Sequence, residues 1–433
     1  MKKLLTRAAV LVGLLLAAVA AILGAGSLRW RPTERAGAAR PVRAAAGDGP
    51  LLAGVAELPL SPEPGAPVAG FPRLHWSSAG VRDPLAVRAV VLSEPGCQVA
   101  LVSAELLLVP GELSRAVEAR VRDLGLDAVV VAATHTHSGP GGFWDNLVAE
   151  GLATGPYHRR AFEALADRIA AAVRAASAAR EPALLSVARA DAPELIHSRE
   201  YLRQVAARLT GFRLTRPSGA LLAQLLVYPS HATLLGPDNH LLSGDWPGAL
   251  MRAQPVPTLF FQGALGDATP HLADQARLTP EVYARAVEAR VSRLAFSPPD
   301  PRPALALSSV RIPLPPPDPA AAPPRLQQLA RNMAWSVFPA EAVLTALRLG
   351  PLALLFNPGE PVMEVGEQWR AQAGPDAEVV SLAGDYVGYV ETPERMALRH
   401  GETERTYYGP GLAGRLGEAV AAAWRALPVA RGR

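Results

Sequence analysis

The stretch AATHTHSGPGGFW, residues 132–144, places two of the chain's nine histidines one residue apart, directly after the apolar run LDAVVVAA. Imidazole nitrogens bind divalent metals and exchange protons near neutral pH. In an extended chain, residues i and i+2 project to one side, so His135 and His137 can address a single point. They can share a metal, or one can bind it while the other handles a proton. The alternative is a pair of loop histidines hydrogen-bonded to backbone. Gly139, Gly141 and Gly142 then allow close backbone approach to whatever the histidines face.

Four more apolar runs end in short polar loops. LLVYP leads to SHATLLGPDNH, LFFQGALG to DATPH, LALLFN to PGE, and VVSLAG to DYVGYVETPE. Ligands of α/β folds bind at such strand ends. These loops carry His231, His240, Asp267, Thr269, His271, Glu360, Tyr386 and Tyr389. Each alone has an ordinary structural explanation, such as a satisfied histidine, turn chemistry, or an acid at a helix start.

The elements that must position these loops alternate along the chain. Strands are expected at LAVRAVVLSEP, QVALVSAELLLV, DAVVVAA, LLSVARA, LLAQLLVY, PTLFFQG, LALSSVRIPL, PLALLFN and AEVVSL. Helical spacing predicts GELSRAVEARVRDLG, stopped by Gly125, and YHRRAFEALADRIAAAVRAASAAR, with further helices over 280–296, 325–347, 361–372 and 412–426. The sequence shows no internal repeat. The fold class is therefore α/β: one large domain over 51–433, with a mixed β-sheet core flanked by helices. Residues 29–50 read as a linker, preceded by a hydrophobic segment.

That segment has a basic start (Lys2, Lys3, Arg7) and an uncharged run from Ala8 to Leu28. About 20 apolar residues suffice to span a bilayer. Residues 1–28 are expected to be a signal anchor that holds the body outside the cytoplasm, or a signal peptide if cleaved, leaving it secreted. The 43 basic and 39 acidic residues nearly balance, and no Lys/Arg run tracks a phosphate backbone, so nucleic acid is excluded as a partner. The single cysteine, Cys97, cannot form an internal disulfide and reads as a strand residue.

Taken in order, the segments resemble the neutral/alkaline, non-lysosomal ceramidase family. The likeness covers most of residues 51–426. It opens with AGVAELPLSPEPGAPVAGF and GVRDPLAVRAVVL and is most specific at ATHTHSGPGGFW. SHATLL with SGDWPG, FFQGALGDATP, FNPGE, and LAGDYVGYVETPE with TYYGP follow. The resemblance implies a Zn²⁺ ion held by His135, His231, Glu360 and Tyr389, with Tyr386 as the substitute if the register shifts. His137 would lie near the scissile bond. The family's catalytic serine is Thr269 here, a family tyrosine falls at Gly401, and the family's basic residue has a loose counterpart in Arg199 of IHSREY. A short member is expected, without the immunoglobulin-like C-terminal domain of larger ones.

The activity so implied is zinc-dependent hydrolysis of an amide, with ceramide (N-acylsphingosine) or a related N-acyl lipid as substrate. Zinc would polarise the carbonyl and activate water, His137 would relay a proton to the departing amine, and Thr269 would hydrogen-bond the tetrahedral intermediate. The alternatives are the same zinc scaffold acting on another ester or amide of the cell envelope or a small molecule, and a non-catalytic metal-binding envelope protein.

Overall fold

Most strand-forming runs are apolar throughout because both of their faces are buried. In a computed structural model the chain is described over residues 37–199, 207–320 and 337–428, with residues 322, 327, 330, 331 and 334 between the last two spans. The hydrophobic segment 1–28, and with it the expected anchor, lies outside the described residues. Among the described residues no helix is long and apolar enough to cross a membrane.

The described chain begins with β1 (Arg40–Ala46), followed by β2 (Leu52–Leu60), β3 (Leu85–Glu94), β4 (Cys97–Ala104), α1 (Gly111–Arg120), β5 (Ala128–Ala133) and α2 (Arg159–Ala178). Next come β6 (Leu184–Asp191), β7 (Arg208–Thr215), β8 (Leu221–Tyr228), α3 (Asp245–Arg252), β9 (Thr258–Gln262) and α4 (Pro280–Val291). The last set is β10 (Leu305–Pro313), β11 (Glu341–Leu349), β12 (Leu352–Phe356), α5 (Met363–Ala373), β13 (Ala377–Val380) and α6 (Gly411–Arg425).

The α/β class holds, but the sheet is divided into three. Each sheet repeats one topology. Three consecutive strands pair antiparallel, a helix crosses over, and a fourth strand joins parallel to the third. This holds for β2-β3-β4 with β5, β6-β7-β8 with β9, and β10-β11-β12 with β13. A second helix closes each set. Three βββαβα units therefore succeed one another without a repeat in the sequence.

The outer face of each sheet carries its own helix pair. Val87, Ala89 and Val102 meet Val117 and Ile169 in the first unit. Leu226 and Phe260 meet Leu250 and Val287 in the second. Leu344 and Leu355 meet Trp369 and Leu416 in the third. The intervening residues of all three sheets, among them Val90, Leu101, Phe212, Val227, Phe261, Leu347 and Phe356, share one central core. Three sheets thus face one another around a common axis with helices outside.

Two expectations are corrected. The linker assigned to 29–50 is a strand from Arg40 to Ala46, which pairs with β10 at the edge of the third sheet. The helix expected over 325–347 is a strand from Glu341 onward. Its Ala, Leu and Arg residues favour a helix locally, but pairing on both sides with β10 and β12 overrides that preference.

The first sheet and its long helix meet at Gly54 of β2. A Cβ there would stand 2.1 Å from the Ala176 carbonyl oxygen and 2.7 Å from the Arg180 nitrogen, both backbone atoms. Gly54→Ala is expected to destabilise the protein by about 1–3 kcal/mol. Urea unfolding should show a lower midpoint at unchanged slope; an unaltered midpoint would mean that this contact does not set the packing distance.

Candidate metal centre

The site lies where the carboxyl ends of the three parallel strand pairs meet. β5 leads to His135 and His137, β8 to His231, β12 to Glu360, and the segment after β13 to Tyr386 and Tyr389. Gln262, fully buried at the end of β9, joins the three units. Its side-chain Nε2 donates to the carbonyls of Thr134 (2.9 Å) and Ser230 (2.7 Å), and its backbone carbonyl accepts from Ser381 N (2.9 Å). The sequence reading passed over Gln262, although an amide closing the run LFF was its signal. Glu360 is held by a short parallel pairing of Glu360–Pro361 with Tyr389–Val390.

His135 Nδ1 lies 2.8 Å from the Leu107 carbonyl oxygen, and His231 Nδ1 lies 3.0 Å from that of Ala268. A carbonyl can only accept, so in each ring Nδ1 carries the proton and Nε2 presents a lone pair. Both lone pairs face Glu360 Oε2, at 3.1 Å from His135 and 3.4 Å from His231. Among the described residues that oxygen has no hydrogen-bond donor. His137 Nε2 stands 3.2 Å from His135 Nε2. Acceptors thus converge with nothing to separate their negative charge, which is the arrangement a cation requires.

The spacing agrees. Zinc bonds of about 2.0–2.2 Å in tetrahedral geometry put ligand atoms roughly 3.3–3.6 Å apart. The ring nitrogens of His135, His137 and His231 all lie within 4.8 Å of one another. The residues present therefore fit a divalent ion with nitrogen and oxygen ligands.

The two tyrosines divide their roles. Tyr386 donates to Glu360 Oε1 at 2.7 Å and so fixes the carboxylate. The Tyr389 hydroxyl lies 2.9 Å from His231 Nε2, on the acceptor cluster itself. Burial, and then Glu360, raise both phenols well above their ordinary range, with Arg199 opposing the shift at Tyr389. Burial pushes the Glu360 carboxyl upward, and positive charge beside it, from an imidazole that carries a second proton or from a cation in the same place, holds it well below the usual carboxylate range. His231 is pushed down to about 3 by burial and by Arg199. His137 is also lowered well below its usual range, by burial and then by the neighbouring imidazoles. The residue is partly exposed, its buried Nδ1 has no hydrogen-bond partner among the described residues, and the Phe71 ring packs on it at 4.8 Å.

His135 departs from the extended geometry read from its spacing. It has φ = 66°, the left-handed region that non-glycine residues rarely adopt. The turn still brings its Nε2 to that of His137.

Arg199 is placed at the site. One guanidinium nitrogen donates to the Gly266 carbonyl (2.7 Å) and lies 3.0 and 3.2 Å from the two His231 ring nitrogens. Proximity to both nitrogens puts it over the ring face rather than in line with either lone pair. Arg199 Nε pairs with buried Glu402 at 3.4 Å; Arg405 pairs with the same carboxylate and lies over the Tyr389 ring. Two guanidiniums thus share one carboxylate beside Tyr389.

Asp267 accepts from Ser198 Oγ (2.9 Å) and Met363 N (2.8 Å), so it holds the Arg199 segment against the start of α5. Thr269 is partly exposed on the adjacent bridge, opposite His197, and makes no side-chain hydrogen bond among the described residues. Gly401 occupies a turn with φ = 65°, where a Cβ would stand 2.2 Å from Glu391 Oε2. A tyrosine cannot enter there without displacing that carboxylate. His240 is exposed, and His271 interacts with His197 and Gln275 instead of joining the cluster.

The fold and donor set define an α/β protein with a buried nitrogen–oxygen cluster at the strand ends that could hold a metal ion. Residues 62–253 match the family described as neutral/alkaline non-lysosomal ceramidase, N-terminal. The neutral ceramidase of Pseudomonas aeruginosa is 24% identical over 230 residues, covering 47% of this chain and 34% of that protein. The neutral ceramidase of Mycobacterium tuberculosis is 28% identical over 202 residues, covering 41% and 31%. The matched stretch thus spans about a third of each relative. The crystal structure of the P. aeruginosa enzyme shares the fold with a TM-score of 0.72 at 20% identity, over 89% of this chain and 76% of that one. A ceramidase complexed with C2 gives 0.72 at 19% identity, over 89% and 77%.

Because Tyr386 orients Glu360, Tyr386→Phe should weaken zinc affinity about 10- to 100-fold while leaving the fold intact. Zinc titration of the metal-free protein measures this. Equal affinity in the variant would show that Glu360 needs no such support.

Proposed function

We propose that the protein is a zinc-dependent hydrolase that cleaves the amide bond of ceramide-like N-acyl lipids. The observation that carries this reading is the convergence of the His135 and His231 lone pairs on the donorless Glu360 oxygen. His135, His231, Glu360 and Tyr389 would hold the ion. Bound there, zinc supplies a Lewis acid that polarises the acyl carbonyl and acidifies water.

The chain's own residues supply the rest. Backbone carbonyls lock His135 and His231 into one tautomer, whereas the buried Nδ1 of His137 has no hydrogen-bond partner among the described residues, so its tautomer is not fixed. His137 can therefore take a proton from the attacking water and return it to the departing amine. Arg199 and Arg405 keep positive charge beside Tyr389, where negative charge develops on the acyl oxygen. A hydroxyl role for Thr269 is supported by its place on the bridge whose Ala268 carbonyl fixes His231.

The same scaffold acting on another ester or amide is favoured by one observation. The Gly401 turn leaves no room for the tyrosine found in ceramidases. An extracytoplasmic location, with the chain held at the membrane by residues 8–28, is supported by the length and basic flank of that run.

Purified protein should contain about one equivalent of zinc, and His135→Ala and His231→Ala should each lose it. Stoichiometric metal persisting in both variants would overturn the reading. His137→Ala should keep its zinc yet lose about 10²–10⁴ of turnover; loss of zinc in this variant would make His137 a ligand instead. A panel of ceramide, N-acyl amino acids and simple esters assigns the substrate, with ceramide expected to turn over fastest. Faster cleavage of an ester would favour the second reading.

A further inference from the structure

Beneath the glycine-rich turn after His137 lies a cavity of about 550 Å³. It opens between that turn, the end of β2 and the first three turns of α2. None of the site residues described above lines it. One wall is apolar, formed by Leu60, Pro67, Phe143 and Leu165. That volume falls in the range of small-molecule pockets.

Its charged lining is one-sided. Arg159, Arg160 and Arg168 all line the cavity, against a single carboxylate, Glu63. Arg160 and Arg168 are exposed, and among the described residues neither forms an ion pair. Arg159 reaches only Glu163, at 3.8 Å. The first turn of α2 carries no acidic residue, and its cap, His158, makes no side-chain hydrogen bond. Arg159 and Arg160, in the first turn, oppose the helix dipole, and Arg168 adds a further positive charge two to three turns along the same wall, so an anion there is favoured. A slot with an apolar wall and a cationic wall is complementary to an amphiphile with an anionic head.

We propose that this cavity binds a long-chain fatty acid, its carboxylate against Arg160 and Arg168 and its chain along the apolar wall. The choice of a fatty acid rests on the proposed reaction, which releases one. The slot then holds product beside the loop that carries His137, since Pro140, Gly141 and Phe143 form part of its lining.

Equilibrium dialysis of the full chain against monomeric myristate tests this without any turnover. One equivalent should bind. The doubly substituted Arg160→Glu, Arg168→Glu chain should bind about tenfold more weakly or worse, with myristyl alcohol binding unchanged. Ala164→Trp, which places an indole in the slot from an exposed helix position, should remove binding of both. Circular dichroism confirms that each variant is folded. Absence of myristate binding by the parent chain would overturn the proposal. So would equal affinity after charge reversal, or binding to phosphatidylglycerol vesicles without binding of monomeric myristate. If the hydrolase reading fails, this binding is still measurable; if this binding fails, zinc content and turnover are untouched.

Discussion

The structure turns on three acceptor atoms that have no reason to meet. The Nε2 atoms of His135 and His231 and Glu360 Oε2 face one another inside the protein, and the backbone carbonyls at Nδ1 leave each neutral ring's lone pair on this side. A buried polar atom without a partner costs on the order of 1–3 kcal/mol, more when charged. Such a group persists when a further charge completes it. The surrounding residues serve that end: Tyr386 fixes the carboxylate, and Gln262 fixes the loops that deliver the two histidines.

The triple topology explains how side chains so distant in sequence come together. A parallel pair places two strand ends side by side, and each unit has one such pair. With the three sheets facing a common core, all three pairs open at the same end. One unit supplies the histidine pair, the next His231, and the last Glu360 and the tyrosines. The left-handed backbone at His135 fits this view. Strain of about 1–3 kcal/mol at a non-glycine residue is sustained where the surroundings fix its position.

Much of this was legible in the sequence, and the omissions have physical causes. The strands stood out because they are apolar on both faces. For the same reason periodicity could not tell which face meets helices and which meets the axis, so three sheets read as one. Glu341–Leu349 is composed of helix formers and becomes a strand only through its neighbours. At the site, His135, His231 and Glu360 each had an unremarkable local explanation, and only the order of their segments, by family resemblance, marked them as a set. Gln262 was missed because a single amide at a strand end resembles any other. The conformation of His135 was not legible, since nothing in THTHSG distinguishes an extended turn from a left-handed one.

The most direct test of the central claim is X-ray absorption at the zinc edge on the purified full chain. The account predicts a shell of nitrogen and oxygen atoms at about 2.0–2.2 Å, with outer-shell scattering from at least two imidazole rings. A sulfur ligand, or a spectrum without imidazole scattering, would contradict it.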